Sequence, residues 1–151
     1  MWQNELLQDI KGLSGIPLFI VLIIIVFLLG LTNLGAQLIV GLILAYALAT
    51  FIRVIFFRRR PDKEPYKNLI GKVDASSFPS LHAMRASVFA TLLSLYFNNV
   101  LLTVVLAFAA VGVAVSRVLT KRHFVSDVVA GLIFGFFIAL ASVWLVARFI
   151  S

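Results

Sequence analysis

Apolar residues fall in long blocks along this chain, separated by short polar stretches. A helix needs about 20 mostly apolar residues to cross about 30 Å of hydrocarbon. Five blocks approach that length, at residues 13–31, 34–57, 80–97, 100–119 and 124–150. The pattern predicts an all-α, polytopic membrane helix bundle with about five transmembrane helices in one domain, residues 1–151. The third block is the least apolar. It carries Arg85, Ser87, Thr91 and Ser94, which must face other helices because an arginine exposed to lipid is costly. Ahead of the first block, residues 1–12 set Trp2, Leu6, Leu7 and Ile10 among charged and amide side chains, the pattern of an amphipathic interfacial helix. A cleaved signal peptide fits less well, because Glu5 and Asp9 stand where Lys or Arg is needed. Gly131 and Gly135, one turn apart in the last block, mark a face for helix packing.

Composition removes most other classes. Hydrophobic residues make up 62% of the chain, against about 45–50% in soluble domains, and the mean hydropathy is +1.11. The absence of cysteine excludes disulfide frameworks, thiolate zinc sites, iron–sulfur clusters and cysteine nucleophiles. The net charge of +7 would point to nucleic acid in a soluble protein; in this chain it points to anionic lipid or phosphate. The expected partners are therefore the bilayer and a phosphate-bearing lipid, and not nucleic acid.

The connections decide where that charge lies. Thr32–Asn33 and Asn98–Asn99 are the expected turns at one side, and neither carries charge. The 58–79 loop on the other side holds Arg58, Arg59, Arg60, Lys63, Lys67 and Lys72, and the turn after the fourth block holds Lys121, Arg122 and His123. The positive-inside rule accounts for loop charges. It does not account for Arg53, Arg85 and Asp127, which lie within apolar blocks, where an ionisable residue is by default a functional hypothesis.

Three patterns converge on the charged side. In RVIFFRRRP, Arg53 and Arg60 are seven residues apart, so a helix running to its stop before Pro61 would present both guanidiniums on one stripe able to hold an anion; the alternative is that Arg53 snorkels to the headgroups and the Arg58–Arg60 run is a membrane-surface anchor. In SSFPSLHA, Ser80 is a suitable helix cap whose following N–H groups favour an anion, and His82 in the first turn can protonate a leaving oxygen. In SRVLTKRHFVSD, Arg117 ends one block, His123 opens the next, and Asp127 follows four residues on, spaced to bring its carboxylate under the imidazole. Such a carboxylate fixes the tautomer and makes the other ring nitrogen a better nucleophile. Two histidines with several arginines and few carboxylates fit phosphoryl chemistry without a metal. Asp62, Glu64, Asp74 and Asp127 form no clustered oxygen set for magnesium or calcium, and zinc on His82 and His123 lacks a third ligand. No metal or other cofactor is expected.

These three patterns resemble the signatures of the membrane-bound type 2 phosphatidic acid phosphatases, relatives of the vanadium haloperoxidases: Lys-x6-Arg-Pro, Pro-Ser-Gly-His and Ser-Arg-x5-His-x3-Asp. Arg53 to Pro61, Pro79 to His82 and Ser116 to Asp127 match them in order, over about half the chain. The resemblance implies an integral membrane lipid phosphatase in which His123 attacks phosphorus, Asp127 orients it and His82 protonates the departing oxygen. Arg53, Arg60, Ser80 and Arg117 would bind the phosphoryl oxygens. Water then attacks the phosphohistidine.

Two positions depart from the signatures. Arg53 stands for the lysine, exchanging an ammonium for a planar fork, and Leu81 stands for the glycine, adding bulk beside the phosphate. Pro-Ser-Leu-His also occurs in phosphotransferring relatives, so the alternatives are transfer to a sugar or lipid hydroxyl and, from another class, non-catalytic binding of anionic lipid. Relatives often have six spans, which makes the N-terminal segment a candidate remnant of the sixth. Polyprenyl diphosphate, phosphatidylglycerophosphate and phosphatidic acid are the candidate substrates, and the active face is expected outside the cytoplasm, since phosphate-binding arginines inflate the positive-inside count.

Overall fold

The computed structural model describes residues 16–62 and 68–149, so the amphipathic 1–12 segment lies outside the described residues. Among the described residues six helices form: α1 Ile16–Leu28, α2 Thr32–Ile55, α3 Leu69–Ala75, α4 Leu81–Phe97, α5 Val100–Leu119 and α6 Val125–Phe149. Among the described residues the one β-type pairing is an isolated antiparallel bridge between Arg59 and Ser76. Helices α2, α5 and α6, of 24, 20 and 25 residues, are long and apolar enough to cross a membrane. The apolar helices α1 and α4 are shorter, 13 and 17 residues, or about 20 and about 26 Å at the α-helical rise.

Local chemistry sets the helix ends. Gly30, at φ +76°, takes the left-handed position that closes α1, with its N–H on the Phe27 carbonyl and the Leu31 N–H on the Val26 carbonyl. The turn expected at Thr32–Asn33 therefore lies at 29–31, and those two residues open α2 instead. The second short turn forms where expected: Asn98 is left-handed, and the Asn99 side chain caps α5 by accepting the Leu102 N–H at 2.9 Å. A further departure is that α2 ends at Ile55, well before Pro61, so Arg53 and Arg60 do not share a helical stripe. The 58–79 loop folds back on itself through the Arg59–Ser76 bridge and contains α3, which periodicity did not reveal.

The least apolar block is the centre of the bundle. Helix α4 packs against α2, α5 and α6 and buries Ala83, Met84, Arg85, Ser87, Val88 and Leu92. Its polar groups find partners in the protein: the Ser87 hydroxyl donates to the Leu132 carbonyl at 2.7 Å, and Arg85 donates to the Tyr46 hydroxyl at 2.8 Å while lying over the Phe19 ring. Outward positions such as Ile43, Phe51, Phe108, Ile133, Phe137 and Trp144 are exposed, the belt a hydrocarbon environment covers.

Helix α6 approaches α4 closely because two glycines let it. A Cβ on Gly131 would sit 2.6 Å from the Ser80 carbonyl oxygen, and one on Gly135 would collide with the Met84 carbonyl. Gly135→Val is expected to destabilise the bundle by about 1–3 kcal/mol, the usual cost of overpacking, read as a lowered midpoint of thermal unfolding in detergent micelles. An unchanged midpoint would mean that the two helices are not locked together at this point.

Candidate active site

The turn from α5 to α6 builds the first wall. Lys121 is left-handed, and the amides of both Arg122 and His123 donate to the Arg117 carbonyl, at 3.1 and 3.2 Å. This double closure returns the chain on itself and makes five intervening residues the spacing that sets Arg117 beside His123. The opening of α4 builds the second wall. Ser80 caps it, its hydroxyl accepting the Ala83 N–H at 3.5 Å, and the Ser80 N–H donates to the Asp127 carbonyl at 3.0 Å, tying the starts of α4 and α6 together. The amides of Leu81 and His82, first in the helix, have no intrahelical acceptor.

A cavity of about 180 Å³ is lined by His82, His123, Arg60, Arg117 and Arg122. Both histidines of the chain thus face one pocket whose other walls are guanidiniums. Arg60 donates to the Asp74 carbonyl, and Arg122 pairs with Asp62 at 3.2 Å, so both arms are tethered.

His123 is 4% exposed, and its Nδ1 lies 2.7 Å from the Ser77 carbonyl oxygen. A carbonyl only accepts, so Nδ1 carries the proton and Nε2 keeps the lone pair. Asp127 stands one turn below, as its spacing predicts, but its Oδ2 is 3.9 Å from Nδ1, beyond hydrogen-bonding distance. The nearest partner of the imidazole is therefore the Ser77 carbonyl, which no local sequence pattern identifies. The wholly buried Asp127 carboxylate takes the Phe124 N–H on Oδ2 at 2.8 Å and Arg58 Nη1 on Oδ1 at 2.7 Å.

Of the sequence-predicted residues, His82, His123, Arg60 and Arg117 meet in the pocket. Arg53 does not line it. Its Nη2 donates to the Pro79 carbonyl at 3.0 Å, and it borders a neighbouring cavity of about 620 Å³ with Tyr46, Thr50, Asn68, Asp74 and Leu81. Ser80 is fully buried as the cap of α4. Leu81 faces that second cavity and packs against the apolar core, so its bulk is turned away from the histidines. Arg58, Ser77 and Arg122 were not singled out by sequence. The first lay in a run read as a membrane anchor, and only the return of 74–77 alongside 58–60 brings it to Asp127.

The sequence model of the PAP2 superfamily matches residues 34–151. Two solved structures share the fold. LpxE from Aquifex aeolicus is 21% identical, with a TM-score of 0.80, and the alignment covers 95% of this chain and 86% of that one. A transmembrane PAP2 type phosphatidylglycerolphosphate phosphatase from Bacillus subtilis is 24% identical, with a TM-score of 0.75, covering 98% and 78% of the two chains. No curated protein matches this sequence significantly.

The partners of Asp127 set a stability expectation. Asp127→Ala leaves the Phe124 N–H and the Arg58 guanidinium without their acceptor and is expected to cost about 1–3 kcal/mol, while Asp127→Asn, whose amide oxygen still accepts, costs less. Thermal unfolding of the two variants in detergent checks the order.

Proposed function

The chain belongs to the PAP2 superfamily, and from that premise we propose that it is an integral membrane phosphatase acting on a lipid phosphate or diphosphate through a phosphohistidine. The single observation that carries the reading is the pocket of about 180 Å³, which joins both histidines to Arg60, Arg117 and Arg122 at one end of an apolar bundle. One of the two neighbours is named as a phosphatidylglycerolphosphate phosphatase, which supports a lipid phosphate as the substrate class. Five spans, with α1 and α4 crossing beside α2, α5 and α6, and an active face outside the cytoplasm complete the proposal.

The chemistry follows from the hydrogen bonds. With Nδ1–H held by the Ser77 carbonyl, His123 presents the Nε2 lone pair to phosphorus. A phosphorus–nitrogen bond forms, the ester or anhydride oxygen leaves, and His82 supplies the proton that oxygen needs. Arg60, Arg117 and Arg122 neutralise the charge that spreads over the remaining oxygens, and the first amides of α4 add donors from the helix start. Water then attacks the phosphohistidine while His82 takes its proton, which releases inorganic phosphate and restores both histidines. Asp127 offsets the positive charge that His123 acquires. Arg53, bonded to Pro79, holds the start of α4 against the pocket and contributes charge from behind it. Because Leu81 is turned away from the histidines, its presence in place of glycine gives no reason to prefer transfer to another hydroxyl over hydrolysis.

Phosphate release by the purified protein in detergent with EDTA tests the reading on polyprenyl diphosphate, phosphatidylglycerophosphate and phosphatidic acid. At least one lipid is expected to be hydrolysed, and His123→Ala is expected to lower the rate by about 10³-fold or more. Release that survives in His123→Ala, or phosphate recovered on an added alcohol instead of in solution, overturns it.

A further inference from the structure

Asp62 follows the first pattern directly and belongs to none of the three, and its charge is the wrong one for a phosphate site. It is nevertheless tied to that site twice. Its main-chain N–H donates to the Lys121 carbonyl at 3.2 Å, and its Oδ2 accepts Arg122 Nε at 3.2 Å. The two contacts join the end of the 58–62 segment to the left-handed turn that precedes His123. Because Lys121 and Arg122 are adjacent, the backbone bond also fixes where the carboxylate meets the guanidinium.

Arg122 needs such a hold. Its side chain is 36% exposed, and it shares the cavity of about 180 Å³ with Arg60 and Arg117. A long side chain beside two like charges gains rotamer freedom and relief from repulsion by swinging out into water. Asp62 opposes the swing. It grips Nε, the nitrogen nearest the stem, and so sets the plane of the guanidinium as well as its place. For stability, an exposed pair of this kind is worth little. Its effect on ligand binding is a different quantity, since an arginine ordered before the anion arrives loses less freedom on binding it. Against this stands a direct penalty, because a carboxylate near a phosphate repels it.

We infer that Asp62 is a positioning residue for phosphate binding: by holding Arg122 Nε it keeps that guanidinium in the pocket, and the gain in order outweighs the repulsion its own charge exerts on the phosphate. The inference rests on the reading of the pocket as a phosphate site. The 58–62 segment then serves the pocket through two side chains of opposite sign. Arg60 lines it directly, and Asp62, two residues on, orients a third arginine carried by the turn from α5 to α6.

The two effects of Asp62 have opposite signs, so binding measurements separate them. On charge alone, Asp62→Ala and Asp62→Asn both tighten phosphate binding. As a positioning residue, Asp62→Ala weakens it, while Asp62→Asn, whose amide oxygen still accepts from Nε, stays within about twofold of wild type. Both histidines of the chain line the pocket, so the ring signals of 15N-histidine-labelled, tag-free protein in detergent report a titration with inorganic phosphate and need no turnover. Asp62→Ala is expected to raise the phosphate Kd by about 3- to 10-fold, and Arg122→Ala by about 10-fold or more, the scale of one charge-assisted hydrogen bond. The double variant is expected to bind no more weakly than Arg122→Ala, because Asp62 acts through Arg122. Unchanged or tighter binding in Asp62→Ala overturns the inference. So do additive losses in the double variant, which would assign Asp62 to holding its own segment in place, and so does a wild type that binds no phosphate. A wild type that binds phosphate yet hydrolyses none of the three candidate lipids counts against the phosphatase reading, while the Kd comparison still decides the role of Asp62.

Discussion

A carboxylate out of reach of water governs the arrangement of the active end. Asp127 is fully buried in the first turn of α6, where its charge must be answered within the protein or not at all. The helix itself answers part of it. The negative group lies at the positive end of the α6 dipole, and its Oδ2 reaches back to the Phe124 N–H, as an acidic residue in the third position of a helix commonly does. Arg58 answers the rest, and its carrier segment is thereby fixed against α6. The Asp127 main chain extends the effect, since its carbonyl accepts the Ser80 N–H and so joins the start of α4 to the start of α6. One residue thus sets the separation of the two helix starts that carry His82 and His123.

That junction requires a bundle able to bring the helices together. Gly131 and Gly135 remove the side chains that would strike the Ser80 and Met84 carbonyls, and the approach they allow lets α4 lie at the centre with its hydroxyls and Arg85 turned inward. The apolar outer belt and the polar axis are two sides of one solution. A span with arginine, serine and threonine is tolerable in hydrocarbon only when other helices surround it, and surrounding it forms the cluster of Leu38, Met84, Val88, Leu92 and Ile138 beneath the site.

Much of this was legible in the sequence because it is written in local terms. Apolar blocks located α1, α2, α4, α5 and α6, Asn98–Asn99 located a turn, and the spacing from Arg117 to His123 to Asp127 is a property of one turn and one helix start. What stayed illegible depends on register between distant segments. Nothing local says that residues 58–60 lie beside 74–77, so Arg58 reads as a headgroup anchor and Ser77 as a loop serine, although together they hold the two ends of the His123–Asp127 pair. The Arg53–Arg60 stripe failed for the opposite reason: Pro61 marked where a helix must stop, but α2 had already stopped at Ile55. Leu81 reads as bulk beside a phosphate until the helix axis is known, and that axis turns it to the core.

The pocket carries an electrostatic cost that its surroundings reveal. Arg60, Arg117 and Arg122 line a space of about 180 Å³ with no acidic side chain lining it among the described residues, so three like charges repel across a distance that low-dielectric walls screen poorly. Each is held where relaxation is limited: Arg60 by the Asp74 carbonyl, Arg122 by the Asp62 carboxylate, and Arg117 at the C-terminal end of α5, where the helix dipole favours a cation. Positive-inside topology does not require such tethering, since loop charges satisfy it by pointing into water. Tethered cations instead form a site whose free energy falls when a multiply charged anion enters, and falls further when that anion gains charge on its equatorial oxygens. In the reaction proposed above, the arrangement would therefore favour a phosphoryl group over a carboxylate or sulfate ester of lower charge, and a transition state over its ground state, for the same physical reason.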